Sequence, residues 1–107
     1  MTERYFVIEL DDNAAIHVWF SYHRGRVTAF AVKLLYQDIE IVRYDSGHGR
    51  PHKDILHPNP SKRRKVWYNV DNDAALSMAI MELKAEYQLY IERYLRWLAE
   101  EKQRSKG

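Results

Sequence analysis

The chain has no cysteine, only four glycines and only three prolines in 107 residues. Without cysteine there are no disulfides, no thiolate nucleophiles and no cysteine-based zinc site. The scarce breakers are also unevenly placed. Gly47, Gly49, Pro51, Pro58 and Pro60 fall close together, and outside that stretch only Gly25 and Gly107 remain. Long segments on either side are therefore free to run as regular structure. No apolar run approaches the roughly 20 residues of a membrane span. Met1-Thr2-Glu3-Arg4 leads straight into a strand-like pattern with no signal-peptide character. A soluble, cytoplasmic protein with no membrane partner is the expectation. Nothing repeats, and tyrosine, tryptophan, isoleucine and leucine are too plentiful for a disordered chain.

The length suits one domain with a modest core. The small net charge of +2 conceals a division. Residues 1–42 carry four basic and six acidic groups, and residues 66–107 carry six and seven. Residues 43–65 carry seven basic groups against Asp45 and Asp54. A concentrated basic segment speaks for an anionic partner more than the total does. A solvated basic loop is the plainer reading.

Hydrophobic periodicity divides the chain into a strand-rich half and a helix. Residues 4–10 read as a strand, then turn chemistry at Asp11-Asp12-Asn13. Ile16, Val18, Phe20 and Tyr22 alternate with His17, Trp19 and Ser21, the period of a strand. His23-Arg24-Gly25-Arg26 reads as a hairpin loop, with residues 27–36 and 39–44 as further strands around a short turn at Gln37-Asp38. Residues 45–64 lack a periodic pattern, apart from a short strand or turn near Lys53 to Leu56. Residues 65–70 alternate again. Asp71-Asn72-Asp73 supplies a helix cap and favourable negative charge. Residues 71–102 then carry Leu76, Ile80, Leu83, Tyr87, Tyr90, Tyr94 and Trp97 at helical spacing, with Ile91, Leu95 and Leu98 beside them. The expected fold is α+β: an antiparallel meander of four to five strands, then one long helix packed on the sheet. The wide apolar surface of the helix's second half suggests a homodimer or another protein partner.

Within the irregular segment, Tyr44-Asp45-Ser46-Gly47-His48-Gly49-Arg50-Pro51-His52-Lys53 gathers the groups best suited to chemistry. Histidine titrates near neutral pH, and arginine and lysine suit phosphate. One reading is metal-free RNA cleavage. His48 and His52 would act as base and acid, with Arg50 and Lys53 holding phosphate and Tyr68 as an extra donor. A second is metal binding by Asp45, His48, His52 and His57, which no known ligand spacing supports. A third is binding without chemistry, by Lys53, Lys62, Arg63, Arg64 and Lys65 with Tyr44, Trp67 and Tyr68 as stacking faces. Against all three stands a structural role: loop histidines often fix a turn, and Asp45 can cap one. No cofactor is expected. His17 and His23 read as ordinary strand and hairpin residues, and the tyrosine stripe as core.

The pattern Ile41-Val42-Arg43-Tyr44-Asp45 … His48-Gly49-Arg50-Pro51-His52 resembles the Y-D-x-x-H-G-x-P-H signature of the TumE-like toxins of prokaryotic toxin–antitoxin pairs. The matching positions are Tyr44, Asp45, His48, Gly49, Pro51 and His52, and the general layout is similar from about residue 5 to 100. The resemblance implies a toxin acting on RNA or translation, a site at Tyr44, Asp45, His48 and His52, and a cognate antitoxin; Arg50, at the variable position of the motif, joins that site by its residue type. This chain departs from the pattern after His52: Lys53-Asp54 follows, and the next histidine is His57.

Overall fold

The structure is a computed structural model and describes residues 1–106. Six strands form one antiparallel sheet in sequence order: β1 (Thr2–Asp11), β2 (Ala14–His23), β3 (Arg26–Tyr36), β4 (Ile39–Asp45), β5 (His52–Ile55) and β6 (Arg64–Trp67). One helix, α1 (Asn72–Lys106), follows. The α+β meander with a C-terminal helix is as expected, with one strand more. The additional strand is β5, which lies inside the segment read as irregular. Four residues flanked by prolines are too few to establish a period, so the strand is specified by pairing with β4 and β6.

Local chemistry sets the turns. Arg24 and Gly25 both have positive φ (52° and 76°), as do Gln37 and Asp38 (48° and 65°). Two consecutive residues of this kind match the right-handed twist of the flanking strands. Gly25 takes this conformation without steric cost. The helix starts where its cap was expected: the Asp71 carboxylate accepts from the Ala74 N–H at 2.8 Å. Asp73 and Asn72 tie that end to β3. The Val27 N–H donates to Asp73, and the Asn72 amide donates to the Val27 and Thr28 carbonyls.

The register puts Ile16, Val18 and Phe20 opposite Leu34, Val32 and Phe30 on one face, continued by Val42 and Tyr44. α1 lays Ala75, Leu76, Ala79, Leu83 and Tyr90 onto that face, mainly over β3 and β4. Burial of side chains such as Ile16, Leu34 and Leu83 contributes up to about 1.5–3 kcal/mol each. The 35-residue helix is about 52 Å long at 1.5 Å per residue. That outruns the width of the sheet beneath it. The segment between β5 and β6 engages the overhang. His57 packs on Trp97 with ring centroids 4.5 Å apart, while Asn59 and Lys62 both donate to the Glu101 carboxylate. Part of the surface read as a dimer contact is thus covered within the chain, although Met81, Leu89 and Leu95 stay exposed. Among the described residues, no helix is long and apolar enough to cross a membrane. Among the described residues, the second face of the sheet carries no helix.

Candidate functional site

Alternation along β4 and β5 divides the motif between the two faces. Asp45 pairs with His52, Arg43 with Asp54, and Tyr44 with Lys53. Side chains on a strand alternate sides, so Arg43, Asp45, His52 and Asp54 stand on the open face. Tyr44 and Lys53 point under the helix. Of the residues assigned to catalysis from sequence, Asp45 and His52 meet on the open side, and His48 and Arg50 lie in the loop beside them. Tyr44 lies across the sheet from all four.

On the open face His52 is 2% exposed and tightly held. Its Nδ1 lies 3.0 Å from the Arg50 carbonyl, to which only an N–H can bond. Its Nε2 lies 2.9 Å from Asp45 Oδ1 and 3.4 Å from Asp54 Oδ2. Arg43 reaches both carboxylates, with Nε 3.1 Å from Asp45 and a terminal nitrogen 3.5 Å from Asp54, and it also meets Glu40. The Arg43 Nε contact is ionic, without hydrogen-bond geometry. Lys65 approaches the other oxygen of Asp54 at 3.6 Å. Asp45 also accepts the Gly47 N–H at 2.8 Å, the turn-capping role that residue type suggested. A Cβ at Gly47 would sit 3.0 Å from Asp45 Oδ1, so a larger residue there would push the carboxylate back by a few tenths of an ångström.

Asp45, His52 and Asp54 offer ligand atoms within 4.8 Å of one another. The Nδ1–H bond to a carbonyl is also how a metal-bound histidine is commonly oriented. The charge, however, is already met by Arg43 and Lys65, and a divalent ion would have to displace the guanidinium. The set read from sequence differs: His57 is buried against Trp97, far along the helix, with its Nδ1 accepting the Asn59 N–H. His48 lies beside His52, ring centroids 6.2 Å apart. The four groups of that set do not converge.

A more accessible arrangement lies around Trp67. Its ring is 5.0 Å from that of His52 and covers it, yet Trp67 remains 44% exposed. The Arg50 guanidinium and the Lys65 ammonium lie 5.5 and 5.4 Å from its centroid. His48 is exposed on the adjoining turn, in a left-handed conformation (φ 63°), and its side chain has no hydrogen-bond partner among the described residues. The turn Gly47–Gly49 thus presents His48 while the buried His52 anchors its far end.

Under the helix, Lys53 is 8% exposed and donates to Glu82 at 2.7 Å and to the Tyr90 hydroxyl. Tyr90 in turn donates to Glu82. Tyr44 is buried and stacked on Tyr68, centroids 6.4 Å apart, and its hydroxyl lies near Glu82 and Tyr90 without hydrogen-bond geometry. Burial pushes the Tyr44 hydroxyl far above the ordinary tyrosine range, with its Glu82 neighbour adding to the shift. Burial also raises Tyr68. Desolvation opposes the charges of Lys53 and Glu82, but their mutual contact and Tyr90 outweigh it. Lys53 is raised and Glu82 lowered. This is a partly buried ion pair joining sheet to helix, without an exposed donor for a substrate.

The basic run does not act as one patch. Lys62 is bonded to Glu101, and Arg63 donates to the His57 carbonyl at 3.3 Å. Lys65 stands on the open face, and Arg64 projects to the helix side. Residues 1–100 match the family described as Domain of unknown function (DUF7718). The chain belongs to the DUF7718 family. No curated protein and no solved structure matches it.

In this DUF7718 domain, sequence reasoning passed over Arg43, Asp54, Glu82 and Tyr90. Arg43 and Asp54 carried a signal. With β5 recognised as a strand, Arg43/Asp45 and His52/Asp54 are two polar pairs at strand spacing. Glu82 carried none, since an acidic residue on a charged helix is ordinary.

Proposed function

We propose that this DUF7718 domain binds single-stranded RNA on the open sheet face at the β5–β6 edge. One observation carries the reading: an exposed tryptophan, Trp67, flanked by Arg50 and Lys65. An indole face stacks on any base, and the flanking cations meet the phosphates on either side. RNA as the ligand goes with a cytoplasmic location.

A second reading has support from His48. In it the domain is the toxin of a toxin–antitoxin pair and cleaves RNA, as the resemblance implies. His48 is the exposed imidazole beside Arg50, so it would take the proton of the attacking 2′-hydroxyl and return it to the 5′-oxygen as the P–O5′ bond breaks, while Arg50 meets the negative charge on the phosphoryl oxygens. His52 would hold the loop with Asp45, because both its ring nitrogens face other groups. This differs from an acid–base pair of His48 and His52. A cognate antitoxin would then cover the same face.

Fluorescence anisotropy with a short unstructured RNA, in EDTA, tests both. Binding that weakens steeply with salt, and by about 1–3 kcal/mol in Trp67→Ala, supports the first reading. Shortened RNA with the wild type and intact RNA with His48→Ala supports the second. No binding at low salt overturns both.

A further inference from the structure

Arg93 lies on the opposite side of the sheet from Trp67, in a setting that packing alone leaves unexplained. Its guanidinium lies over the Tyr90 ring at 5.0 Å and the Trp97 ring at 4.8 Å. The Nε is buried and has no hydrogen-bond partner. A buried donor left unmade costs its full desolvation, so such a group calls for an acceptor. Arg96 shares its cleft, with Tyr90 and Leu89. Arg64 projects toward it from β6. Among the described residues, none of these three arginines has a carboxylate within 4 Å.

We infer that Arg64, Arg93 and Arg96 form a site for a single phosphate group, free or as a monoester, between β6 and α1. Guanidinium donors match phosphate oxygens in shape and charge, and the aromatic rings hold Arg93 in place at little entropic cost. Glu86 and Glu92 line the same cleft. Their negative charge opposes any anion, most of all a long polyanion that must pass them, so a phosphate here has to sit against the arginines. The direction of titration agrees. Arg93 is lowered by desolvation, and Arg96 and Arg64 add like-charge repulsion that an anion would relieve.

The test follows the arginine Nε–H signals by NMR while inorganic phosphate or a nucleoside 5′-monophosphate is added, with sodium chloride at equal ionic strength as control. The expected result is a saturable shift of the Arg93 signal. Arg96→Gln and Arg64→Gln should each weaken binding about tenfold. Both residues are exposed, so these variants keep the fold. Tighter binding of the monoester identifies an ester as the ligand, and equal or tighter binding of phosphate identifies the free ion. A shift that chloride reproduces overturns the site, as does unchanged affinity in both variants. Trp67→Ala should leave phosphate binding intact, so loss of the RNA reading and loss of this one are separable.

Discussion

Lys53 and His52 are consecutive in sequence and occupy opposite faces of β5. On the helix side, Lys53 has one carboxylate, Glu82, and two tyrosine rings within cation–π range. The pair is shielded, so its electrostatics are strong and its loss is costly. On the open side, His52 is buried, but the groups around it reach solvent. It has two carboxylates; both meet Arg43, and Asp54 also meets Lys65. Removing one member there leaves others to rearrange. The contrast teaches that burial and functional relevance are distributed differently. The inner network joins helix to sheet, while the outer one holds a loop that presents His48, Arg50 and Trp67.

The largest expected effect is on the inner side. Lys53→Met leaves Glu82 without its cation and should destabilise by about 3–5 kcal/mol in urea unfolding. Adding Glu82→Leu should recover most of that loss. If the double variant is no better than the single, the two residues are not an isolated pair and the comparison fails. His52→Ala should cost about 2–3 kcal/mol, because a hydrogen bond and the carboxylate contacts of a buried ring are lost and a cavity remains. It should also release the Gly47–Gly49 turn, seen as faster amide exchange there. A cost as large as that of Lys53→Met would erase the distinction between the faces.

The pH dependence sharpens it further. Glu82 is lowered in the fold, so its contribution is complete above the ordinary glutamate value of about 4.3 and is lost as pH falls through the folded value. Lys53 and Tyr44 are raised, so theirs is complete below the unfolded values of about 10 and is lost as pH rises through the folded ones. Thermal melts across pH should show both limbs, and Glu82→Gln should flatten the acid limb. An unchanged acid limb would show that Glu82 does not carry it. The smallest effect is at the helix start. Asp71→Ala should cost about 1 kcal/mol and leave both networks intact.

The meander and the helix could be read from the chain because each carries a long, uninterrupted period. Ile16, Val18 and Phe20 alternate at strand spacing, and Leu76, Leu83 and Tyr90 recur at helical spacing. β5 was legible only as a short strand or turn near Lys53 to Leu56, because four residues between prolines hold no period of their own. That omission has a consequence for the site. With residues 45–64 taken as a loop, Tyr44, Asp45, His52, Lys53 and Tyr68 looked like one cluster. As strands they fall on two sides, and Tyr44, Lys53 and Tyr68 go to the core side. Lys62 and Arg63 turn inward to Glu101 and His57 because the helix extends beyond the sheet and those residues meet its overhang.

The sequence by itself determined the two periodicities, the caps and turns, and the concentration of basic and histidine residues between β4 and α1. These are local properties, set by backbone sterics and by which side chains recur at which spacing. Only the tertiary structure decided which of those residues share a face. Strand pairing sends neighbours in sequence to opposite sides, and the helix then buries one side. The same fold left Trp67 between two cations and Arg93 without an acceptor, because both depend on contacts between segments far apart in the chain.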